Sequence, residues 1–301
     1  MNYLTKRIKI GIFSTFIEDD SLTLVKAVER AIQSGNIPNA KVAFIFSNRE
    51  YGESPTTNVI LDGLENRSTP LITYSAAKFE PDLRRKAREE EQNGNLLSIG
   101  DWRNLYGEQV LKKIPPTDLD LLLGDMWIWG QNLCKERNGI NLHPALPTGP
   151  KGEWYKVIWQ LIKERQNESG VMIHKITPEL DRGSAIAYCR FPIRGNQFDS
   201  LWNQLPQREE DLDRLIQQEL SKKEKTTYPL HRKIREYGFN RETPLIIQTT
   251  RAFAEGSIRV EDQSVVNHNG EALVGGYNLT SEVNQELGVQ FKRRMNEKEV
   301  K

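Results

Sequence analysis

Short apolar runs alternate with amphipathic segments along the first part of the chain. Ile8–Phe13 and Lys41–Phe46 are rich in β-branched and aromatic residues, which is typical of buried strands. Between them, Ser21 can cap a helix that Gly35 ends, with one apolar face formed by Leu22, Val25, Val28 and Ile32. A strand, a helix and a strand joined by short links predict a parallel, doubly wound sheet.

The same alternation continues downstream. Leu71–Tyr74, Leu119–Leu123, Gly139–His143 and Gly170–Ile176 are predicted strands, and Asp101–Lys113 is a predicted helix. The sequence therefore predicts an α/β fold with a Rossmann-like, mostly parallel sheet.

Two segments are polar rather than periodic. Phe79–Asn95 carries closely spaced opposite charges, which favour an exposed helix. Gln204–Arg241 is rich in Glu, Lys and Arg and is interpreted as an inserted helical pair or an extended linker.

The last part of the chain returns to an apolar pattern. An amphipathic helix is predicted from Pro244 to Gly256, followed by a hairpin of Ser257–Val260 and Ser264–Asn267. We accordingly divide the chain into an α/β core (1–203), a polar helical insertion (204–243) and a C-terminal helix and hairpin with a charged tail (244–301).

Composition narrows the class of partner. The 301 residues carry 42 basic and 41 acidic side chains, so a net charge of +1 gives no global reason to bind nucleic acid or an acidic membrane. The longest nearly apolar stretch, Leu119–Trp129, is too short for a membrane helix, and no signal-like segment precedes Ile8. With only Cys134 and Cys189, we expect reduced thiols and a cytoplasmic protein.

Three polar side chains are candidates for chemistry. Asn141 and His143 alternate on one predicted strand and share a face, at the carboxyl end where α/β sheets bind ligands. Asp181 lies in the turn Leu180–Gly183. An amide, an imidazole and a carboxylate that converge could carry out acyl transfer. Spacing alone leaves open a packed histidine and an ordinary turn aspartate.

Other classes of site find less support. A dinucleotide site would need a Gly-x-Gly-x-x-Gly turn after the first strand, and Gly11 alone does not supply one. A metal site of His143, His174 and Asp181 lacks any short ligand spacing, so we expect no metal. The remaining aromatic and imidazole candidates are interpreted as structural, with two packing on the sheet (Trp154, Trp159) and two at the surface (His231, His268).

Several segments together resemble a known family. Asn-Leu-His-Pro-Ala-Leu-Pro from Asn141 is followed about forty residues later by Leu-Asp-Arg-Gly from Leu180, and Ser47-Asn48-Arg49, Gly124-Asp125-Met126 and Arg251–Val260 align in order. From about Ile8 to Glu271 the chain resembles the folate-dependent formyltransferases, in particular their phosphoribosylglycinamide branch.

The resemblance implies a function and a set of site residues. An amine would attack the formyl group of 10-formyltetrahydrofolate directly, with Asn141 and His143 at the formyl oxygen and Asp181 holding the protonated histidine. The pterin would face Leu180 and the segment formed by Gly124, Asp125, Met126, Trp127 and Ile128. Both cysteines would be dispensable, and the partners would be a small amine and folate in one-carbon metabolism and purine biosynthesis.

The sequence departs from the family where it would hold a substrate phosphate. The family has a Gly- and Ser-rich turn after its first strand, whereas Ser14–Ser21 has no glycine and contains Glu18, Asp19 and Asp20. Carboxylates would repel a phosphate, although they also suit a helix N-terminus. Trp127 and Ser184 stand where the family usually has Arg and Pro. The sequence therefore does not identify the acceptor amine, and an amine without a phosphate group is one of the candidates.

Three functions remain within this resemblance. They are formyl transfer to a primary amine, hydrolysis of formyltetrahydrofolate, and binding without catalysis. The sequence does not determine the oligomeric state, and a homo-oligomer is one of the possible states.

Overall fold

The computed structural model describes residues 7–17, 19–195, 197–261 and 264–288. The chain divides into two units, of which the first contains residues up to 141 with 175–183 and 250–257. The second contains 142–174, 184–249 and the residues from 258 onward.

The first unit holds a parallel sheet. Its strands are ordered β5-β4-β1-β2-β3, and each neighbouring pair is parallel. Their bounds are Ile8–Ser14 (β1), Ala40–Ser47 (β2), Leu71–Thr73 (β3), Leu119–Leu122 (β4) and Gly139–His143 (β5). The helices between them are Asp19–Gln33 (α1), Pro55–Glu65 (α2), Pro81–Gln92 (α3), Leu97–Lys113 (α4) and Gln131–Glu136 (α5). The α/β fold and its mostly parallel sheet are confirmed.

A buried ion pair fixes the centre of this sheet. Asp120 on β4 is fully buried and accepts hydrogen bonds from Arg137 Nε at 2.7 Å and Nη2 at 2.9 Å. Gly11 on β1 lies opposite Asp120, and a Cβ placed there would be 2.2 Å from the Asp120 Oδ1 atom. Gly11 is therefore required for space at the buried carboxylate.

The second unit combines an antiparallel strand pair with helices. β6 (Glu168–Lys175) and β7 (Ala185–Pro192) are antiparallel, and β10 (Tyr277–Asn278) joins β7 in parallel. β8 (Ile258–Glu261) and β9 (Ser264–Asn267) form the predicted hairpin. The helices are Trp154–Lys163 (α6), Asp199–Trp202 (α7), Glu209–Ser221 (α8) and Pro229–Ala254 (α9). The division cuts three elements: residues 142–143 of β5 belong to the second unit, whereas Lys175 of β6 and residues 250–254 of α9 belong to the first.

The prediction that a helix begins at Pro244 is wrong. Pro244 lies inside α9, which begins fifteen residues earlier, so the boundary drawn between 243 and 244 falls within one helix. A proline inside a helix costs about 3 kcal/mol because it removes one hydrogen bond and crowds the preceding turn. Apolar side chains are buried on both sides of it, and their packing outweighs that cost: Leu230, Ile234, Leu245 and Ile246.

The surface position predicted for His231 is also wrong. His231 is fully buried on α9, and its Nε2 atom lies 3.0 Å from the Tyr155 carbonyl oxygen on α6. The Trp159 ring lies 5.0 Å from the His231 ring, between centroids. The sequence around His231 is mostly polar, so it gave no indication that this face of α9 packs on α6.

No helix in the described part of the chain combines the length and apolar content that crossing a bilayer requires. The acidic residue Glu18 and the charged tail from 289 onward lie outside the described residues.

Candidate active site

Asn141 and His143 lie at the end of β5, as their alternation predicts. β5 pairs in parallel with β4, with Leu122 opposite Asn141, so both side chains follow the carboxyl end of a strand in a parallel sheet. Two residues apart on one strand, they leave the backbone on the same face. Asn141 is half-buried, whereas His143 is 2% exposed.

The hydrogen bond of His143 determines where its proton resides. Its Nε2 atom lies 2.9 Å from the Pro150 carbonyl oxygen. Since a carbonyl only accepts, Nε2 carries the hydrogen in the neutral ring, and any further proton binds at Nδ1. The buried His174 ring meets His143 edge-to-face, with 6.2 Å between centroids. Sequence reasoning missed Pro150 because a backbone contact leaves no signal in residue type.

Asp181 lies in a constrained turn after β6. It is buried and left-handed (φ 54°), a conformation that aspartate tolerates better than most residues. Two residues on, a Cβ at Gly183 would lie 1.6 Å from the Lys175 carbonyl oxygen, so only glycine permits this close return of the chain. Leu180, in the same turn, is 59% exposed. Asn141 and Asp181 belong to the first unit and His143 to the second, so their convergence stays a prediction.

The segment after β4 is tied to the end of β1 through Thr15. The Thr15 hydroxyl donates to Asp125 Oδ1 at 3.1 Å and accepts from the Met126 N–H at 2.7 Å. The Thr15 N–H donates in turn to the Gly124 carbonyl at 3.2 Å. Gly124 is left-handed (φ 67°), and a Cβ there would lie 2.9 Å from Ser21 Cβ. These contacts hold the predicted pterin segment at the carboxyl end of the sheet.

Asp125, the acidic residue of this segment, has a pKa that differs strongly from that of an exposed aspartate. Burial raises its pKa to about 7, while Thr15, the Trp127 backbone and the nearby Trp129 indole act in the opposite direction. Its Oδ2 atom is buried and has no hydrogen-bond partner in the described residues. The carboxyl therefore keeps its proton to a higher pH than an exposed aspartate does. The sequence places Asp125 in the segment but gives no sign of its burial, which depends on Thr15.

Apolar side chains of the two predicted pterin segments differ in exposure. Met126 is 73% exposed and Leu180 is 59% exposed. Trp127 is buried against Tyr106, edge-to-face at 4.7 Å, and Ile128 is half-buried. Met126 and Leu180 therefore leave apolar surface exposed, which a bound ligand could cover.

The turn after β1 uses its backbone internally. The Phe16 N–H donates to the Ser14 hydroxyl at 3.2 Å, and the Thr15 N–H is bonded to Gly124 as above. Phe16 itself is fully buried in a left-handed conformation (φ 49°). Two N–H groups that could bind an anion therefore have partners within the protein.

No group of three or more His, Cys, Asp or Glu side chains in the described ranges could hold a metal ion.

Comparison with known proteins agrees with the fold and with the resemblance. No protein-family model matches the chain. The phosphoribosylglycinamide formyltransferase of Dictyostelium discoideum is 27% identical over 165 residues, covering 47% of this chain and 80% of that protein. The chain has the fold of the formyltransferases.

Two solved structures carry that statement. The phosphoribosylglycinamide formyltransferase of Coxiella burnetii superposes with a TM-score of 0.59 at 17% identity, covering 91% of this chain and 99% of that one. Glycinamide ribonucleotide transformylase 1 of Symbiobacterium toebii gives 0.51 at 18% identity, covering 89% and 97%. Within the fold, the resemblance to the phosphoribosylglycinamide formyltransferases is confirmed.

Proposed function

We propose that this protein transfers the formyl group of 10-formyltetrahydrofolate to a primary amine that carries no phosphate. The observation that supports it best is the pair of Asn141 and His143 on one face at the end of β5, in a protein with the formyltransferase fold. An amide and an imidazole at that position can donate hydrogen bonds to a carbonyl oxygen that becomes negative during attack.

The reaction needs no acylated protein group. The amine nitrogen bonds to the formyl carbon, and the bond from that carbon to N10 of the folate breaks. The amine loses one proton and N10 gains one. Because Nε2 of His143 donates to Pro150, Nδ1 is the atom that exchanges this proton, and Asp181 stabilises the charged ring.

The donor would bind at the two loops already described. Met126 and Leu180 provide exposed apolar surface, and the backbone from Gly124 to Ile128 provides hydrogen-bonding groups for a pterin. No resident cofactor or metal is required, since the folate is a substrate.

The turn after β1 supports an acceptor without phosphate. Phosphate sites at this position use free backbone N–H groups at a glycine-rich turn. Here Phe16 occupies the turn, its N–H is bonded to Ser14, and Asp20 adds exposed negative charge nearby in sequence. We therefore expect phosphoribosylglycinamide to be a poorer acceptor than its dephosphorylated form.

The test measures formyl transfer with both acceptors, and free formate in the absence of any amine. We expect transfer with the dephosphorylated amine, and a fall of about 100-fold or more in kcat/KM for His143→Ala and Asp181→Asn. His268→Ala, at an exposed histidine, is the matched control and should retain full activity. Release of formate without any amine would show that the protein is a hydrolase rather than a transferase. Activity of His143→Ala equal to that of the wild type would refute the mechanism.

A further inference from the structure

A cavity lies entirely within the second unit, between the start of α6 and the first half of α9. Its volume is about 320 Å³. The residues that line it and that matter for binding are Trp154, His231, Arg232, Arg235, Glu236 and Phe239. That volume is at the small end of ligand-sized pockets. None of these residues takes part in the proposed formyl transfer.

His231, one of the residues that line the cavity, has a buried hydrogen-bond acceptor without a partner in the described residues. His231 Nε2 faces the Tyr155 carbonyl oxygen at 3.0 Å and must donate to it, so Nδ1 carries the lone pair while the ring is neutral. Burial lowers the pKa of His231 to about 4, which keeps the ring neutral at pH 7. Nδ1 is buried and has no hydrogen-bond partner among the residues described.

This acceptor is not satisfied by its nearest aromatic neighbour. The Trp159 indole N–H, on a ring 5.0 Å away between centroids, is likewise buried without a partner in the described chain. A buried acceptor left without a hydrogen bond costs about 1–3 kcal/mol. A ligand with an N–H or O–H group in the cavity would remove that cost.

The other walls are aromatic. The Trp154 ring lies 5.8 Å from the His231 ring, between centroids. The Arg235 guanidinium lies 4.9 Å from the Trp154 centroid and 5.0 Å from that of Phe239. Phe239 is 41% exposed, although it is a large apolar side chain. Flat apolar surfaces of this kind suit an aromatic ligand.

The charges at the cavity favour an anion. Arg235 forms an ion pair with Glu242, and Glu236 is paired with Lys233 at 3.1 Å. Arg232 is exposed, and its guanidinium forms no ion pair or hydrogen bond within the described residues. A carboxylate on the ligand could therefore bind Arg232 with two parallel hydrogen bonds.

We propose that this cavity binds a small aromatic carboxylate that also carries a hydroxyl or N–H donor. The ring packs on Trp154 and Phe239, the donor bonds to His231 Nδ1, and the carboxylate pairs with Arg232.

Three probes of nearly equal size separate these contributions by calorimetric titration of the full chain. 4-Hydroxybenzoate has both groups, 4-methoxybenzoate lacks the donor, and methyl 4-hydroxybenzoate lacks the charge. We expect 4-hydroxybenzoate to bind at least tenfold more tightly than either of the others. Equal affinity of all three, or no heat from any of them at millimolar concentration, would overturn the proposal.

Variants locate the binding in this cavity. Arg232→Ala and Phe239→Ala change exposed side chains and should each weaken 4-hydroxybenzoate binding about tenfold. Arg251→Ala, also an exposed arginine of α9 but not among the residues that line the cavity, should bind normally. His231→Gln should reduce the advantage of the hydroxyl over the methoxy compound. Unchanged affinity in Arg232→Ala and Phe239→Ala would place the binding elsewhere and refute the assignment.

Discussion

Replacement of Asp125 by asparagine should change how the stability of the protein depends on pH. Burial raises the pKa of Asp125 from 3.8 to about 7 in the folded protein. Between these two values the folded state binds more protons than the unfolded state, so the free energy of unfolding falls as pH rises through that window. Below pH 4 both states are protonated, and above pH 7 the penalty is complete and constant. Asparagine resembles the protonated acid and avoids the penalty.

The size of the effect follows from the two pKa values. At about 1.4 kcal/mol per pKa unit, the change from 3.8 to about 7 bounds the loss at about 4 kcal/mol. Because part of the residue is exposed, we expect about 2 to 4 kcal/mol. Relative to Asp125→Asn, the wild-type protein should lose this amount of unfolding free energy between pH 4 and pH 8.

Urea denaturation at intervals across this range measures the difference directly. Asp101→Asn, which removes an exposed carboxyl from α4, is the matched control, and the two difference curves are compared. If the difference in unfolding free energy between wild type and Asp125→Asn does not change with pH, the burial argument is refuted. If the wild-type protein instead gains stability relative to Asp125→Asn as pH rises, the predicted direction of the effect is wrong.

Three further substitutions test other parts of the structure by urea denaturation. Relative to wild type, His231→Gln should gain up to about 3 kcal/mol of unfolding free energy as pH falls from 6.5 to 4, because a pKa lowered from 6.5 to about 4 makes the unfolded state bind more protons in that window; a difference between the two proteins that does not change with pH would contradict this. Gly183→Ala should destabilise by several kcal/mol because its Cβ meets a backbone carbonyl, whereas Gly63→Ala, with open space around its Cβ on α2, should be neutral or stabilising by up to about 1 kcal/mol. Asp120→Ala should cost about 3–5 kcal/mol because it leaves the buried Arg137 without its carboxylate, and a loss below 1 kcal/mol would show that the pair is not needed.

Much of the sheet could be predicted because its strands carry their signal locally. Ile8–Ser14 and Ala40–Ser47 are runs of apolar and β-branched residues, and burial on both faces of a parallel sheet requires such runs. Asn141 and His143 could be placed on one face for the same reason, since alternation is a property of the strand itself. The strand pattern cannot specify which group each side chain hydrogen-bonds, such as the Pro150 carbonyl that faces His143.

The features that sequence reasoning missed depend on contacts distant in the chain. α9 continues through Pro244 because apolar residues on both sides are buried, and local propensity alone would end the helix there. His231 is buried against Tyr155, 76 residues away. The carboxyl of Asp125 reaches Thr15, 110 residues away, and its altered pKa is a product of that position. The residue types alone give no sign of either titration.

The two buried titrating groups make opposite demands on pH. Rising pH destabilises the fold through Asp125 between 3.8 and about 7, and falling pH destabilises it through His231 between 6.5 and about 4. Between pH 4 and pH 6.5 each contributes a slope of about 1.4 kcal/mol per pH unit, with opposite sign, so the two largely cancel in the wild-type protein. A flat wild-type profile in this range is thus the expected result and gives no evidence against either burial. Only the single variants separate the two contributions: Asp125→Asn should expose the acid sensitivity of His231, and His231→Gln should expose the alkaline sensitivity of Asp125.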